Sequence, residues 1–303
     1  MGIEKSPKYT VAVIHLNMAE TVAQSLTSIL EQIDDRFEVV VVDDGSTDGS
    51  VEILRWLEEE YENLRVIADA GNSNHGEARQ HAIEAAEGDY ILSSLDADDE
   101  FTPCISQFVS LYHELEDAKE NEFLLLGYGL YMAPRSLLLE IPYRSMGYGE
   151  DRDLYRRLLA ENALLSLSHH RVRRALGYHP SRLDKVKIGI ETITNQFRSG
   201  LHLRPYLRWA FEEMTGQRNR ISLVRGFLHL VVAPFAYLLS LRRERYEAPE
   251  KFRDIGAYKD ALMEVHMTLS EMEDKFDIEV NRDAIGPRGC AVFDTETKRS
   301  LID

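Results

Sequence analysis

The stretch from Val39 to Ser50 reads VVVVDDGSTDGS, a run of β-branched residues that breaks off into two aspartates and a string of turn formers. A β-branched run with no polar alternation belongs to a strand covered on both faces, as in a parallel sheet. The polar residues that stop it mark a loop at the carboxyl end of that strand. The same pattern repeats on either side. Thr10–Ile14 (TVAVI) is a strand, and Thr21–Ile33 a helix with Val22, Leu26, Ile29, Leu30 and Ile33 on one face. Phe37–Val42 is the second strand, and Ser50–Tyr61 a helix. Leu64–Ala68 is a strand, Gly76–Ala86 a helix, and Tyr90–Leu95 a strand ending in Asp96-Ala97-Asp98-Asp99. Strict alternation of this kind predicts an α/β domain over residues 1–180, with a mainly parallel sheet flanked by helices. Such sheets bind ligands beyond the carboxyl ends of their strands, where both acidic runs fall.

The remainder is less regular. Phe123–Ala133 (FLLLGYGLYMA) predicts one more strand, and Asp151–Leu159 begins a helix. Residues 181–276 read as amphipathic helices forming an extension. Residues 277–303 read as an irregular tail with a short strand at Cys290–Phe293. With 303 residues, 44% apolar and 29% charged, the chain has the make-up of a folded protein. Its net charge of −17 excludes nucleic acid as a partner, because phosphate backbones bind positive surfaces. Cys104 and Cys290 have no partners at zinc spacing and are expected to be free thiols. Met1–Tyr9 is polar, without the apolar core of a secretory signal, so the expected location is cytoplasmic.

Asp96 and Asp98, one residue apart at a strand end, suit a site where one carboxylate holds sugar or ribose and the other a hard divalent ion such as Mg²⁺ or Mn²⁺. A solvated loop is the plain alternative. Asp43 and Asp44 can accept from a base N–H or a ribose hydroxyl, while Ser46, Thr47 and Asp48 read as helix caps. No Gly-rich loop follows the first strand, which argues against a nucleotidyltransferase or a dinucleotide-binding dehydrogenase.

Taken in order, Val39–Ser50, Ala78-Arg79, Gly88-Asp89-Tyr90-Ile91 and Leu95-Asp96-Ala97-Asp98-Asp99 resemble the family 2 glycosyltransferases, an inverting family with the GT-A fold. The resemblance covers about residues 10–180. It implies that Asp44, or else Asp43, contacts the base of a nucleoside diphosphate sugar, that Asp96 faces the ribose and donor sugar, and that Asp98 ligates the metal. Arg79 matches part of the family's Ala-Arg-Asn and should lie near the donor, the alternative being a surface salt bridge. Gly149-Glu150-Asp151-Arg152-Asp153-Leu154 resembles the Glu-Asp-x-Asp-Leu element, which makes Asp151 the general base; a helix cap is the alternative. His169, His170 and Arg171–Arg174 read either as contacts to the diphosphate or metal, or as an exposed basic face. Two departures stand out. In the first strand's Pro-Thr-Tyr-Asn pattern only Asn17 matches, as a donor contact, and Gln80 replaces the Asn after Arg79. The stretch between Asp99 and Gly149 is also short for an acceptor pocket.

Gly226–Leu241 (GFLHLVVAPFAYLLSL) is apolar but, at 16 residues, short for a membrane span. Between Arg198 and Arg245 nine Arg stand against three acidic residues, a local +6. Two readings remain: an element lying in the membrane interface, or a helix packed on the catalytic domain. The first suits a peripheral membrane enzyme whose acceptor is a polyprenol (dolichol) phosphate-linked glycan for protein or cell-surface glycosylation. A catalytically degenerate sugar-nucleotide binder or scaffold is the alternative function.

Overall fold

The computed structural model describes residues 7–93, 95–177, 181–216 and 220–295, and only the backbone of 220–222. The predicted alternation is present. It runs β1 Tyr9–His15, α1 Val22–Leu30, β2 Phe37–Asp43, α2 Ser50–Glu60, β3 Leu64–Ile67, α3 His75–Ala85 and β4 Tyr90–Ser93. β4 ends at Ser93 rather than at the expected Leu95, which is not in a strand; Ser94 between them lies outside the described residues. Then come β5 Asp99–Phe101, α4 Ile105–Glu116, β6 Leu124–Leu126, β7 Tyr131–Pro134, α5 Arg135–Glu140, α6 Glu150–Ala160, β8 Leu164–Leu167 and β9 Arg173–Ala175. The chain closes with α7 Arg182–Arg198, α8 Leu203–Thr215, α9 Arg220–Ser240, α10 Ile255–Val265, β10 His266–Met267, α11 Leu269–Phe276 and α12 Arg282–Phe293.

The main sheet has eight strands in the order β10-β8-β6-β7-β4-β1-β2-β3. β1 pairs in parallel with β2 and β4, β2 with β3, and β8 with β6 and β10. β7 runs antiparallel to both β4 and β6. From β1 the chain steps to β2 and β3 on one side and then returns to β4 on the other. The tips of β1 and β4 therefore flank a switch point, where α/β sheets open a ligand crevice. Every residue of β2 is buried, as its unbroken apolar run requires. β5 and β9 form a separate two-stranded sheet.

Three expectations are corrected. The single strand over Phe123–Ala133 is a hairpin, because the chain reverses at Gly127–Leu130, with Gly129 at φ +100°. The irregular tail with a strand at Cys290–Phe293 is instead helical over Arg282–Phe293, kinked at Gly286 (φ 66°) before Pro287. There Ile285, Gly289 and Phe293, four residues apart, are buried and form the inner face, and Phe293 meets Phe108 of α4 at 5.6 Å between ring centroids. The apolar run at 226–241 belongs to a 21-residue helix, about 31 Å long at 1.5 Å per residue. By length and composition its Leu223–Ser240 segment is apolar enough to cross a membrane, and 22% of that segment is buried. α9 lies along α7 and α8, around a small core that includes Phe197, Tyr206, Trp209, Ala233 and Ala236. Gly226 permits the close crossing: a Cβ there would come within 2.5 Å of the Met214 nitrogen.

Candidate active site

The β2 carboxyl end is shaped by Asp43. Its Oδ1 accepts from Ser46 and lies 2.8 Å from His15 Nδ1, while Oδ2 accepts from the Gly45 and Ser46 amides at 3.0 and 3.1 Å. The side chain is fully enclosed, and these donors hold its carboxyl below the ordinary range even though burial pushes the other way. Of the two candidates for the base contact, Asp43 is thus consumed in building the loop. Asp44 accepts from Asn72 Nδ2 at 2.7 Å, and burial raises its carboxyl. Asn17, with φ 53°, accepts from the Thr47 amide at 2.8 Å and donates its own amide to Ser46. It ties the β1 loop to the β2 loop. The capping expectation for Ser46–Asp48 is corrected: the N-cap of α2 is Gly49, in the left-handed region at φ 89°, with no side-chain cap, and Asp48 accepts from the Ser50 amide at 3.1 Å and from Ala19.

Beyond β4, the carboxylates of Asp96, Asp98 and Asp99 each place an oxygen within 4.8 Å of the others. Arg173 of β9 donates to Asp96 at 3.1 Å and to Asp99 at 2.5 Å. Among the described residues no ion pair reaches Asp98, whose carboxyl is pushed up by burial and then by Asp96 and Asp99. Crowded carboxylates that repel one another are the electrostatic condition that a divalent cation relieves. An all-oxygen set fits Mg²⁺ or Mn²⁺.

Arg79 joins this cluster to the second acidic element. Its Nη2 lies 3.4 Å from Asp96 Oδ1 and its Nε donates to Glu150 Oε1 at 3.1 Å. Burial opposes the guanidinium charge, but Asp96, Tyr143 and Glu150 outweigh it and hold Arg79 well above its ordinary value. The surface salt bridge alternative is therefore overturned: the Arg79 side chain is only 12% exposed. Asp151 follows Glu150 in the first turn of α6, and its Oδ1 accepts from the Arg152 amide at 2.7 Å. Both Asp44 and Glu150 feel the charge of His75, which opens α3 and meets the Tyr148 ring edge-on at 4.9 Å. Arg79 thus links Asp96, with Asp98 and Asp99 beside it, to Glu150, the residue before Asp151. Gly76 makes the junction close, since a Cβ there would come within 2.1 Å of the Arg144 carbonyl.

The basic cluster divides. His169 is buried beside Phe108 and Phe293 and within 2.6 Å of the Tyr128 amide, so its role is structural. Arg173 enters the acidic cluster, which spacing gave no means of separating from its neighbours. Glu150 and Asn72 were also missed as site residues; Glu150 stood in the quoted motif with nothing to show that it would pair with Arg79. Gln80, the departure from the family pattern, accepts from the Tyr143 amide at 3.0 Å and so fixes the segment leading to α6.

Asp151 also lines a cavity of about 720 Å³, walled by α6 and the C-terminal helices α7 to α10. The short stretch between Asp99 and Gly149 does not have to supply that side of the site.

Residues 10–118 match the family described as Glycosyl transferase family 2. The uncharacterized glycosyltransferase YibD of Escherichia coli K12 is 34% identical over 96 residues, which is 32% of this chain and 27% of that protein. The amylovoran biosynthesis glycosyltransferase AmsB of Erwinia amylovora is 28% identical over 149 residues, 48% of this chain and 49% of its own length. The chain thus spans less than half the length of either relative. Among solved structures, S. aureus TarS 1-349 in complex with UDP-GlcNAc superimposes with a TM-score of 0.51 at 17% identity, covering 90% of this chain and 93% of that one. Glucosyl-3-phosphoglycerate synthase from Mycobacterium tuberculosis, in complex with Mn²⁺, UDP and glucosyl-3-phosphoglycerate, gives 0.51 at 20% identity over 64% and 80%. At such identities the likeness is one of fold. Residues 10–118 are thus similar to glycosyl transferase family 2, and the chain has a GT-A-like fold with a helical C-terminal region.

Proposed function

We propose that the protein is an inverting glycosyltransferase that moves a sugar from a nucleoside diphosphate donor to a hydroxyl acceptor. The observation that supports this most is the Arg79 bridge, which joins Asp96 of the acidic cluster to Glu150, the neighbour of Asp151 in α6. Asp44 takes the base of the donor, Asp96 the ribose and sugar, and Asp98 with its neighbours the divalent ion. That ion, when bound, neutralises the diphosphate as it departs. Asp151 accepts the acceptor's hydroxyl proton. The acceptor oxygen then bonds to the anomeric carbon as the bond to the diphosphate oxygen breaks, and the configuration inverts in one displacement. Asn17 acts by holding the two loops together, and Arg173 is placed to follow negative charge from Asp96 onto the diphosphate.

UDP-sugars are the first donors to try, because both fold neighbours are complexes with uridine nucleotides. AmsB is named for the biosynthesis of a polymer, which suits surface-polymer or protein glycosylation here. The exposed apolar face of α9, bearing Phe227, Val231, Phe235 and Leu238, favours peripheral association at the cytoplasmic face of a membrane and a polyprenol-linked glycan acceptor.

The test is release of nucleoside diphosphate from UDP-, GDP- and dTDP-sugars with and without Mg²⁺ or Mn²⁺. Metal-dependent release is expected with one donor class, and Asp151→Asn should lower it by about 10²–10⁴-fold while donor binding persists. Nucleotide binding with no release under any condition would make the protein a sugar-nucleotide binder instead.

A further inference from the structure

The cavity beside Asp151 is positive inside a protein whose net charge is −17. Arg152 of α6, Lys185 of α7, Arg225 of α9 and Lys259 of α10 line it, and among the described residues only Arg225 has an ion-pair partner, Glu213 at 2.9 Å. Lys259 sits 3.7 Å from the centroid of the Trp209 ring. Burial, with Arg225 and Arg152 adding to it and Glu213 opposing, lowers its amine to about 8. The same three cations surround His229, which burial first and then these charges push down to about 4. Behind the wall, Arg156 is fully buried. Among the described residues its guanidinium donates only to neutral groups, Ser199 Oγ and Gln196 Oε1, both at 2.7 Å, and it lies 4.8 Å from the Tyr258 ring. Arg152 and Lys185 reach water, but the half-buried Lys259, repelled by Arg225 and Arg152, is costly to keep charged, and an entering anion offsets that cost.

The rest of the lining is apolar. Ile190, Ile193, Leu228, Val232, Ile255 and Leu262 face the same space. Val186 and Leu228 belong both to the cavity and to the outer surface, being 59% and 53% exposed, and Leu228 continues into the exposed face of α9. The space therefore has cations near Asp151 and an apolar lip, Val186 and Leu228, that continues onto an apolar surface.

We propose that this cavity binds an anionic amphiphile, its acidic head group held by Lys259 and Arg152 beside Asp151 and its apolar chain leaving past Val186 and Leu228 along α9. Its role as acceptor site rests on the glycosyltransferase reading, whereas the binding itself does not. The head-group chemistry, a phosphate-like anion, is shared by isoprenyl phosphates and free phosphate; the apolar mouth selects the former.

The experiment is calorimetric titration of the full chain with a C15 isoprenyl monophosphate below its micelle concentration, with the same-chain alcohol and with inorganic phosphate. The monophosphate is expected to bind at least tenfold more tightly than either. Lys259→Gln should weaken it at least tenfold without changing the affinity for the alcohol, and Lys259→Arg should restore it. Arg152→Gln, at an exposed position, repeats the test where folding is not at risk. Equal affinity for alcohol and monophosphate, or variants that bind like the native chain, overturns the proposal; saturation by inorganic phosphate alone overturns the amphiphile part. Titrating nucleoside diphosphate with Mn²⁺ in parallel separates the two readings. Loss of nucleotide binding with isoprenyl phosphate binding intact sinks the transferase reading alone, and the reverse sinks the cavity proposal alone.

Discussion

In the sheet, Val39 to Val42 are fully enclosed and the charges stand beyond the strand tips, around Asp44 and Asp96–Asp99. Along α9 the arrangement is reversed. Leu223, Val224, Phe227, Val231, Phe235 and Leu238 are more than half exposed, while Arg152, Arg225 and Lys259 line the neighbouring cavity. One hydrophobic driving force explains both only if their surroundings differ. The sheet hides its apolar residues, whereas α9 leaves an apolar face exposed, the feature on which the proposed apolar and anionic partners rest.

The comparison breaks most visibly at the seam between the two acidic elements. Arg79→Met leaves Asp96 and Glu150 without their shared cation, and should cost about 3–5 kcal/mol in urea unfolding along with most of the transferase activity. A cost below about 1 kcal/mol would return Arg79 to an ordinary surface pair.

The C-terminal layer has its own weak point. Gly226→Val forces a side chain against Met214 and the Ala210 carbonyl, which a Cβ alone would approach to 2.7 Å. Overpacking of this kind should destabilise by about 1–3 kcal/mol. We expect the loss in the α7–α9 layer, read as faster hydrogen exchange there with the sheet amides unchanged; uniform exchange across both would show a single cooperative unit.

The acidic cluster predicts a change of opposite sign. Asp98's carboxyl is raised in the fold by burial and by its neighbours, so its ionisation costs stability as pH rises through that raised value. Asp98→Asn should therefore raise Tm at pH 7 by roughly 1–4 °C, with the gain shrinking as pH falls toward the ordinary value of 3.8. The variant should also lose the added stability that Mn²⁺ gives the native chain. A Tm that falls at pH 7 would mean that Asp98 is held by contacts inside the protein.

The smallest effect on stability falls on the outer face of α9. Phe227→Ser with Val231→Ser should change stability by under about 0.5 kcal/mol, as exposed positions do, yet reduce co-sedimentation with anionic liposomes. Replacing Arg242, Arg243 and Arg245 should weaken it further at low salt. Unchanged sedimentation in both sets would assign α9 to a protein partner or to none.

The contrast between the layers also explains what the residues alone disclosed. β1 and β2 were legible because a β-branched run with both faces covered has no rival reading, β3 and β4 because they continue the alternation with helices, and Asp44 and Asp96–Asp99 because they follow where strands stop. α12 was misread because Cys290–Phe293 is apolar in sequence although only part of it faces the core; the helical spacing of Ile285, Gly289 and Phe293 is diluted by Gly286 and Pro287. The span of α9 was under-read at 16 residues because Arg225 interrupts an apolar stretch that begins at Leu223. Asp43 could not be told from Asp44 by spacing, since the inward turn depends on His15 and Ser46. The cavity was invisible for the same reason: Arg152, Lys185, Arg225 and Lys259 are dispersed in sequence, and only the stacking of helices brings them together.

The most direct test of the central claim is calorimetric titration of UDP into the native chain and Asp98→Ala, each with Mn²⁺ and with EDTA. Carboxylates that hold a cation against a diphosphate predict binding in Mn²⁺, its loss in EDTA, and at least a tenfold weakening in the variant. Equal UDP affinity in all four titrations would contradict it.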